Sequence, residues 1–195
     1  ASDTANDLAL DGNLVGALGQ VAGESKNALV RRTAMALAKA IGNTRVEFVE
    51  GITDAKGRPV AGKYDPVNNV IQLDLDTPLS THTLLHEATH AATQQVLKNK
   101  SHPLTKKLTA LYNNIKDDIS NAYASESLAD FVAEAYTNTE FQVTLAAYKP
   151  SGSKLTAWDR FWGAITRFLG LGSPETADVA ARRYINTILA NSPDT

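Results

Sequence analysis

The segment Val70 to Leu75 alternates cleanly, with Ile71, Leu73 and Leu75 on one side and Gln72 and Asp74 on the other. That is the pattern of a strand with one face on a core. From Thr77-Pro78 onward the apolar residues recur at helical spacing to the end of the chain. Sheet-forming sequence is therefore confined to a short window. Two more strands are expected in it, at Arg45 to Glu50 and at roughly Pro59 to Tyr64, separated by turn signals at Asp54-Ala55-Lys56-Gly57 and Asp65-Pro66-Val67-Asn68-Asn69. The expected class is α+β, with a small mixed β-sheet and a mostly helical C-terminal half.

The chain has 195 residues, 43% of them hydrophobic and 21% charged, which suits a single globular domain over residues 25–195. Residues 1–24 are small and polar with scattered leucines, and read as a loose lead-in, a weak helix or a removable prosegment. Lys+Arg 19 against Asp+Glu 21 leaves a net charge of −2, with no broad cationic surface, so no nucleic-acid partner is expected. No apolar run approaches the ~20 residues that cross a bilayer, and the polar start is unlike a signal peptide, so the chain reads as soluble with no membrane partner. Met35 is the only methionine, which suggests a processed product or a segment of something longer. With no cysteine, disulfides, thiolate nucleophiles and thiolate metal sites are excluded. Any metal must be held by histidines and carboxylates.

Helices are expected at about 26–41, capped by Ser25, and from Pro78 to about Lys98. Another should open at Pro103 with a stripe from Leu104 to Ile119, followed by helices at about 127–136 and 140–148. After the linker-like Lys149 to Ser153, Trp158, Phe161, Trp162, Ile165, Phe168 and Leu169 form an aromatic stripe that reads as core. A last helix is expected through Tyr184, Ile185, Ile188 and Leu189. Lys98, Lys100, His102, Lys106 and Lys107 read as a solvated helix end.

The sharpest chemical feature is His86-Glu87-Ala88-Thr89-His90, the H-E-x-x-H pattern within an expected helix. One turn separates the two imidazoles, so they project from one face with Cβ atoms about 6 Å apart, within reach of a single tetrahedral Zn2+. Glu87 sits beside that position, where a carboxylate can take a proton from a water and deliver it to a leaving amine. His82, a further turn upstream, could join the cluster, but reads as part of a fraying helix start.

Catalytic zinc has three protein ligands and an open position. The third is a carboxylate or His102. Glu126, Asp130 and Glu134 recur every four residues, which on one helix would stack them on one face. One of them is the expected ligand, and the others can orient the ligating imidazoles. Ser127 and Asp130 also have the spacing of a capping box. Spacing does not choose among the three.

His86 to His90, followed some forty residues later by Tyr123-Ala124-Ser125-Glu126-Ser127-Leu128-Ala129-Asp130-Phe131-Val132-Ala133-Glu134-Ala135-Tyr136, resembles the catalytic domain of anthrax toxin lethal factor and the related Pro-Pro endopeptidases. Those are zincin metallopeptidases. The resemblance implies a zincin-like fold with Asp130 as third zinc ligand, Tyr123 as a hydrogen-bond donor to the oxyanion and Glu134 in a supporting position. The family has Glu where this chain has Asp130, one methylene shorter, so the ligand must approach more closely or Glu126 or Glu134 must replace it. The stretch Asp130 to Gln142 is also similar to metallopeptidase-like domains of bacteriophage virion polyproteins, which implies a virion or a bacterial cytoplasm as the setting.

The function implied is a zinc metalloendopeptidase, with a protein or peptide substrate paired along an edge strand near Val70 to Leu75. Two other readings are a degenerate zincin serving as a structural or binding module, and a repressor-cleaving regulatory protease. Retention of Glu87 speaks against the first, and the lack of a helix-turn-helix or basic face against the second.

Overall fold

The structure, a computed structural model, describes residues 2–121 and 124–169. Its elements, in order, are α1 (Asp3–Leu10), α2 (Leu14–Glu24), α3 (Ala28–Ala40), β1 (Arg45–Val49), β2 (Gly62–Asp65), β3 (Val70–Asp74), α4 (Thr81–Lys98), α5 (Pro103–Ile115), α6 (Leu128–Thr137), α7 (Thr139–Ala147) and α8 (Ala157–Leu169). This is the expected α+β class with a small mixed sheet. Internal contacts divide the chain into two compact units, one ending at Gln94 and one beginning at Gln95, so the division falls within α4. Among the described residues no helix is long and apolar enough to cross a membrane.

In the first unit, the segment expected to be loose is two helices. Ser2 caps α1 by accepting the Ala5 N–H, and Asn13 caps α2 by accepting the Gly16 N–H at 2.8 Å. The small residues that made the segment look weak are part of its interior. Ala5, Ala9, Ala17 and Leu18 are fully buried, α2 packs on both α1 and α3, and α1 also meets β1. The cap of α3 is Asn27, two residues beyond the expected Ser25, and it accepts the N–H groups of Leu29 and Val30. Gly42, with φ 54°, ends that passage in the left-handed region.

The sheet order is β1-β3-β2, with β1 parallel and β2 antiparallel to β3. This overturns the expectation of an edge along Val70 to Leu75. β3 is the central strand, its backbone shared with neighbours on both sides, and an added peptide finds no free edge there. Alternation reports which faces are buried and is silent on strand order. Leu75 also leaves the pattern: it lies past the strand end and is 52% exposed, whereas Val70, Ile71 and Leu73 are buried. The second strand in sequence, β2, begins later than expected, at Gly62, with an isolated bridge between Thr53 and Pro59 before it. Asn69, at φ 53°, turns the chain from β2 into β3. Its Oδ1 accepts the hydroxyls of Thr44 and Tyr64, each at 2.9 Å, which ties the hairpin to the start of β1.

Helix α4 starts three residues after the expected Pro78, because Ser80 Oγ accepts the Thr83 N–H at 2.9 Å and so performs the cap. In the second unit Pro103 opens α5 as expected, and the helix stops at Ile115, short of Ile119. Phe131 on α6 is the aromatic hub, with ring centroids 5.5 Å from Tyr112, 5.9 Å from Phe141 and 6.1 Å from Phe161. Trp158, Phe161, Trp162 and Ile165 of α8 are buried, as expected for a core stripe, while Phe168 is partly exposed. The helix expected through Tyr184 to Leu189 lies outside the described residues.

Gly19 lies within α2, and a Cβ there meets nothing within 4 Å. Gly19→Ala is therefore expected to stabilise the protein by about 0.5–1 kcal/mol through lost unfolded-state freedom, measured by urea denaturation.

Candidate metal centre

Helix α4 carries the H-E-x-x-H residues on its second and third turns. Its buried residues are Leu84, Leu85, Glu87, Ala88, Thr89 and Thr93. The two threonines are tolerated inside because each hydroxyl donates to the carbonyl four residues earlier, Thr89 to Leu85 at 2.8 Å and Thr93 to Thr89 at 2.7 Å. His86 and His90 lie half-buried at the margin of that face.

The imidazoles converge at their tips. Nε2 of His86 and Nε2 of His90 are 3.1 Å apart, with ring centroids at 4.8 Å and planes inclined by 70°. Two nitrogens bound to one tetrahedral zinc at about 2.0–2.1 Å stand roughly 3.3–3.4 Å from each other. The pair thus fits the bite of a first-row divalent ion with a shift of a few tenths of an ångström. Imidazole donors suit zinc, copper, iron and nickel better than calcium or magnesium.

Glu87 keeps only 6% of its surface exposed. Strand β2 runs directly against it. A Cβ on Gly62 would lie 3.0 Å from Glu87 Cγ, 3.0 Å from Thr83 Cγ2 and 3.2 Å from Leu73 Cδ2. Glycine relieves crowding there, since any side chain would ask these neighbours to give by a few tenths of an ångström. Sequence reasoning passed over Gly62, although a lone glycine in a strand pattern signals close approach of a neighbour.

On the second unit, α6 presents Asp130 and Glu134 one turn apart. Ser127 caps α6 as the expected box requires: the Asp130 N–H donates to Ser127 Oγ at 3.1 Å, and that hydroxyl donates to Asp130 Oδ2 at 2.7 Å. Glu134 is 3% exposed, and its Oε2 accepts from Asn121 Nδ2 at 3.1 Å and Asn138 Nδ2 at 2.7 Å. Two amide donors on one carboxylate oxygen fix its direction. Asn138 also caps α7, accepting the Phe141 N–H at 3.1 Å. Neither asparagine was singled out from the sequence.

One expectation changes. Glu126 does not stack with Asp130 and Glu134, because α6 begins only at Leu128, beyond the Ser127 cap, and Glu126 is an exposed residue of the preceding turn. His102 is engaged at its Nδ1, which accepts the Leu104 N–H at 3.1 Å and caps α5. His82 lies within the first turn of α4, with its ring 5.7 Å from that of His86. Tyr123 lies outside the described residues. Near α6 the sequence offered Tyr112 only as a core position. Its hydroxyl donates to the Ser125 carbonyl at 2.8 Å, and burial, then the charges of Asp130 and Asp117, push its pKa up.

Comparison of the chain with protein-family models, curated proteins and solved structures finds no match.

Gly62→Ala requires the Glu87 and Thr83 side chains to give by a few tenths of an ångström. The expected loss of stability is about 1–3 kcal/mol by urea denaturation, opposite in sign to that at Gly19.

Proposed function

We propose that the protein is a zinc-dependent endopeptidase of the zincin type, hydrolysing internal peptide bonds. The observation that carries the reading is the 3.1 Å convergence of His86 and His90 on a helix that also holds Glu87 between them in sequence. The ion would be held by His86, His90 and Asp130, the last assigned from the resemblance of the Tyr123 to Tyr136 segment. When bound, zinc supplies positive charge that polarises a carbonyl and makes a water acidic near neutral pH.

The chain's own groups do the rest. Glu87 takes the proton of the attacking water as the new carbon–oxygen bond forms. It passes that proton to the amide nitrogen as the carbon–nitrogen bond breaks, so that a carboxylic acid and an amine leave. Its burial beside Gly62 restricts the rotamers open to it, which favours one proton-transfer geometry. Glu134, directed by Asn121 and Asn138, takes the supporting role of a fixed anion. Tyr123 keeps the role that the resemblance implies, donating a hydrogen bond to the oxygen that becomes negative during attack.

The substrate is an extended peptide, and the strand offered for its pairing is now β2. That strand is an outer one in the sheet order and is the strand in contact with Glu87 through Gly62. A non-catalytic zinc module gains nothing from a buried glutamate at this position, which favours the hydrolase over the binding-module reading.

The test is incubation of zinc-loaded protein with a diverse peptide library, read by mass spectrometry, alongside Glu87→Gln at equal zinc content. Cleavage at a consistent position is expected from the wild type, with a rate about 10²–10⁴-fold lower in the variant. Equal rates in both, or no cleavage by fully loaded wild type, would contradict the reading.

A further inference from the structure

Strand β2 has one edge paired and one open. The Asp74 N–H donates to the Ala61 carbonyl at 2.9 Å, and the register continues through Lys63↔Gln72 and Asp65↔Val70. In an antiparallel ladder successive residues alternate between facing the partner strand and facing away from it. Ala61, Lys63 and Asp65 therefore turn their backbone groups to β3, while Gly62 and Tyr64 turn theirs outward. Among the described residues no strand pairs with that outer edge. On the other outer strand, β1, a Cβ on Gly12 would lie 3.8 Å from the Val46 carbonyl oxygen, so the turn between α1 and α2 already stands against it.

Side chains alternate as well. Gly62 faces Thr83 and Glu87 of α4, so Lys63 projects from the opposite face of the sheet, where it is exposed. Its neighbours there leave its charge largely uncompensated. Across the ladder stands the neutral Gln72, with Glu47 one strand further away. Along the strand, Asp65 commits its carboxylate to the turn that follows: Oδ1 accepts the N–H groups of Val67 at 2.9 Å and Asn68 at 3.3 Å, and Oδ2 accepts from Asn68 Nδ2 at 2.7 Å. The Asn68 side chain is the main cause that holds the Asp65 carboxyl below its ordinary range, and the charge of Lys63 contributes least. Among the described residues Lys63 forms no ion pair.

We propose that Lys63 selects an acidic side chain in the peptide that adds to β2. This rests on the reading of the protein as an endopeptidase whose substrate pairs there. A peptide residue opposite Lys63 lies on the same face of the sheet with its Cβ about 4.5–5.5 Å away, a separation at which opposite charges attract across strands. The next residue of the peptide lies opposite Gly62 and turns to the face on which Glu87 lies. The selected Asp or Glu therefore stands at one fixed distance in sequence from the bond that is cut. Lys63 touches no reacting atom, and its part is in choosing the substrate.

The experiment has two arms. Zinc-loaded wild type, Lys63→Ala and Lys63→Glu, each verified as folded by circular dichroism, are incubated with the same diverse peptide library. In parallel, Glu87→Gln protein with and without Lys63→Glu is mixed with fluorescent peptides of alternating threonine and valine that carry a central Asp, Ala or Lys, and binding is read by anisotropy. Wild-type cut sites are expected to carry Asp or Glu at one position, enriched about 2- to 5-fold over neutral residues. The enrichment should vanish in Lys63→Ala and pass to Lys or Arg in Lys63→Glu. The Asp peptide should bind about 2- to 5-fold more tightly than the Ala peptide, less so at high salt, with the order reversed by Lys63→Glu. Cut sites without an acidic preference, or a preference that survives Lys63→Glu, would overturn the role of Lys63 and leave the endopeptidase intact. Charge-selective binding with no cleavage by any loaded protein would uphold selection by Lys63 and overturn the endopeptidase. Neither cleavage nor charge-selective binding would overturn both.

Discussion

A helix rises about 5.4 Å per turn, and side chains four residues apart lie one above the other on its surface. That constraint places His86 beside His90 regardless of what surrounds them. In this chain it brings two Nε2 atoms to 3.1 Å. Two imidazole tips so close, each with a lone pair or a proton to present, are best accommodated when a proton or a cation lies between them. Everything proposed for the chemistry descends from that meeting of nitrogens, with Glu87 following one position behind His86.

The surroundings are organised so that α4 is held at the level of these residues. Thr89 and Thr93 return their hydroxyls to the helix's own carbonyls, which lets polar residues occupy its buried face. β2 comes down on Glu87 and Thr83 through a residue with no side chain. A carboxylate so enclosed has few rotamers left, and fixing it in advance is what a proton carrier requires. On α6 a comparable restraint acts through hydrogen bonds. Ser127 and Asp130 hold each other at the helix start, and two asparagines grip Glu134. The same interactions that satisfy helix ends therefore also orient the acidic groups.

Local periodicity carried the sequence reading a long way. The H-E-x-x-H helix, the aromatic stripe of α8, Pro103 at the start of α5 and the Ser127–Asp130 box were legible because each depends on residues within a turn or two. What failed depends on the rest of the chain. Alternation in Val70 to Leu75 does not tell a central strand from an edge, since strand order is set by distant pairing, and β3 proved central. The first 24 residues looked weak because alanine and glycine are poor signals of a core, yet Ala5, Ala9 and Ala17 are fully buried where small residues allow helices to approach. Ser80 displaced Pro78 as the marker of the α4 start. A Ser127 cap implies that Glu126 precedes the helix, which the four-residue spacing of Glu126, Asp130 and Glu134 conceals. Gly62 was visible as a lone glycine, and only the fold shows what it touches.

The most direct measurement is X-ray absorption at the zinc edge on protein loaded with one equivalent of the metal. Two imidazole ligands are expected, at zinc–nitrogen distances of about 2.0–2.1 Å, accompanied by oxygen ligands. A spectrum without imidazole scattering, or one unchanged when His86 and His90 are both replaced by alanine, would contradict the metal centre and with it the hydrolase.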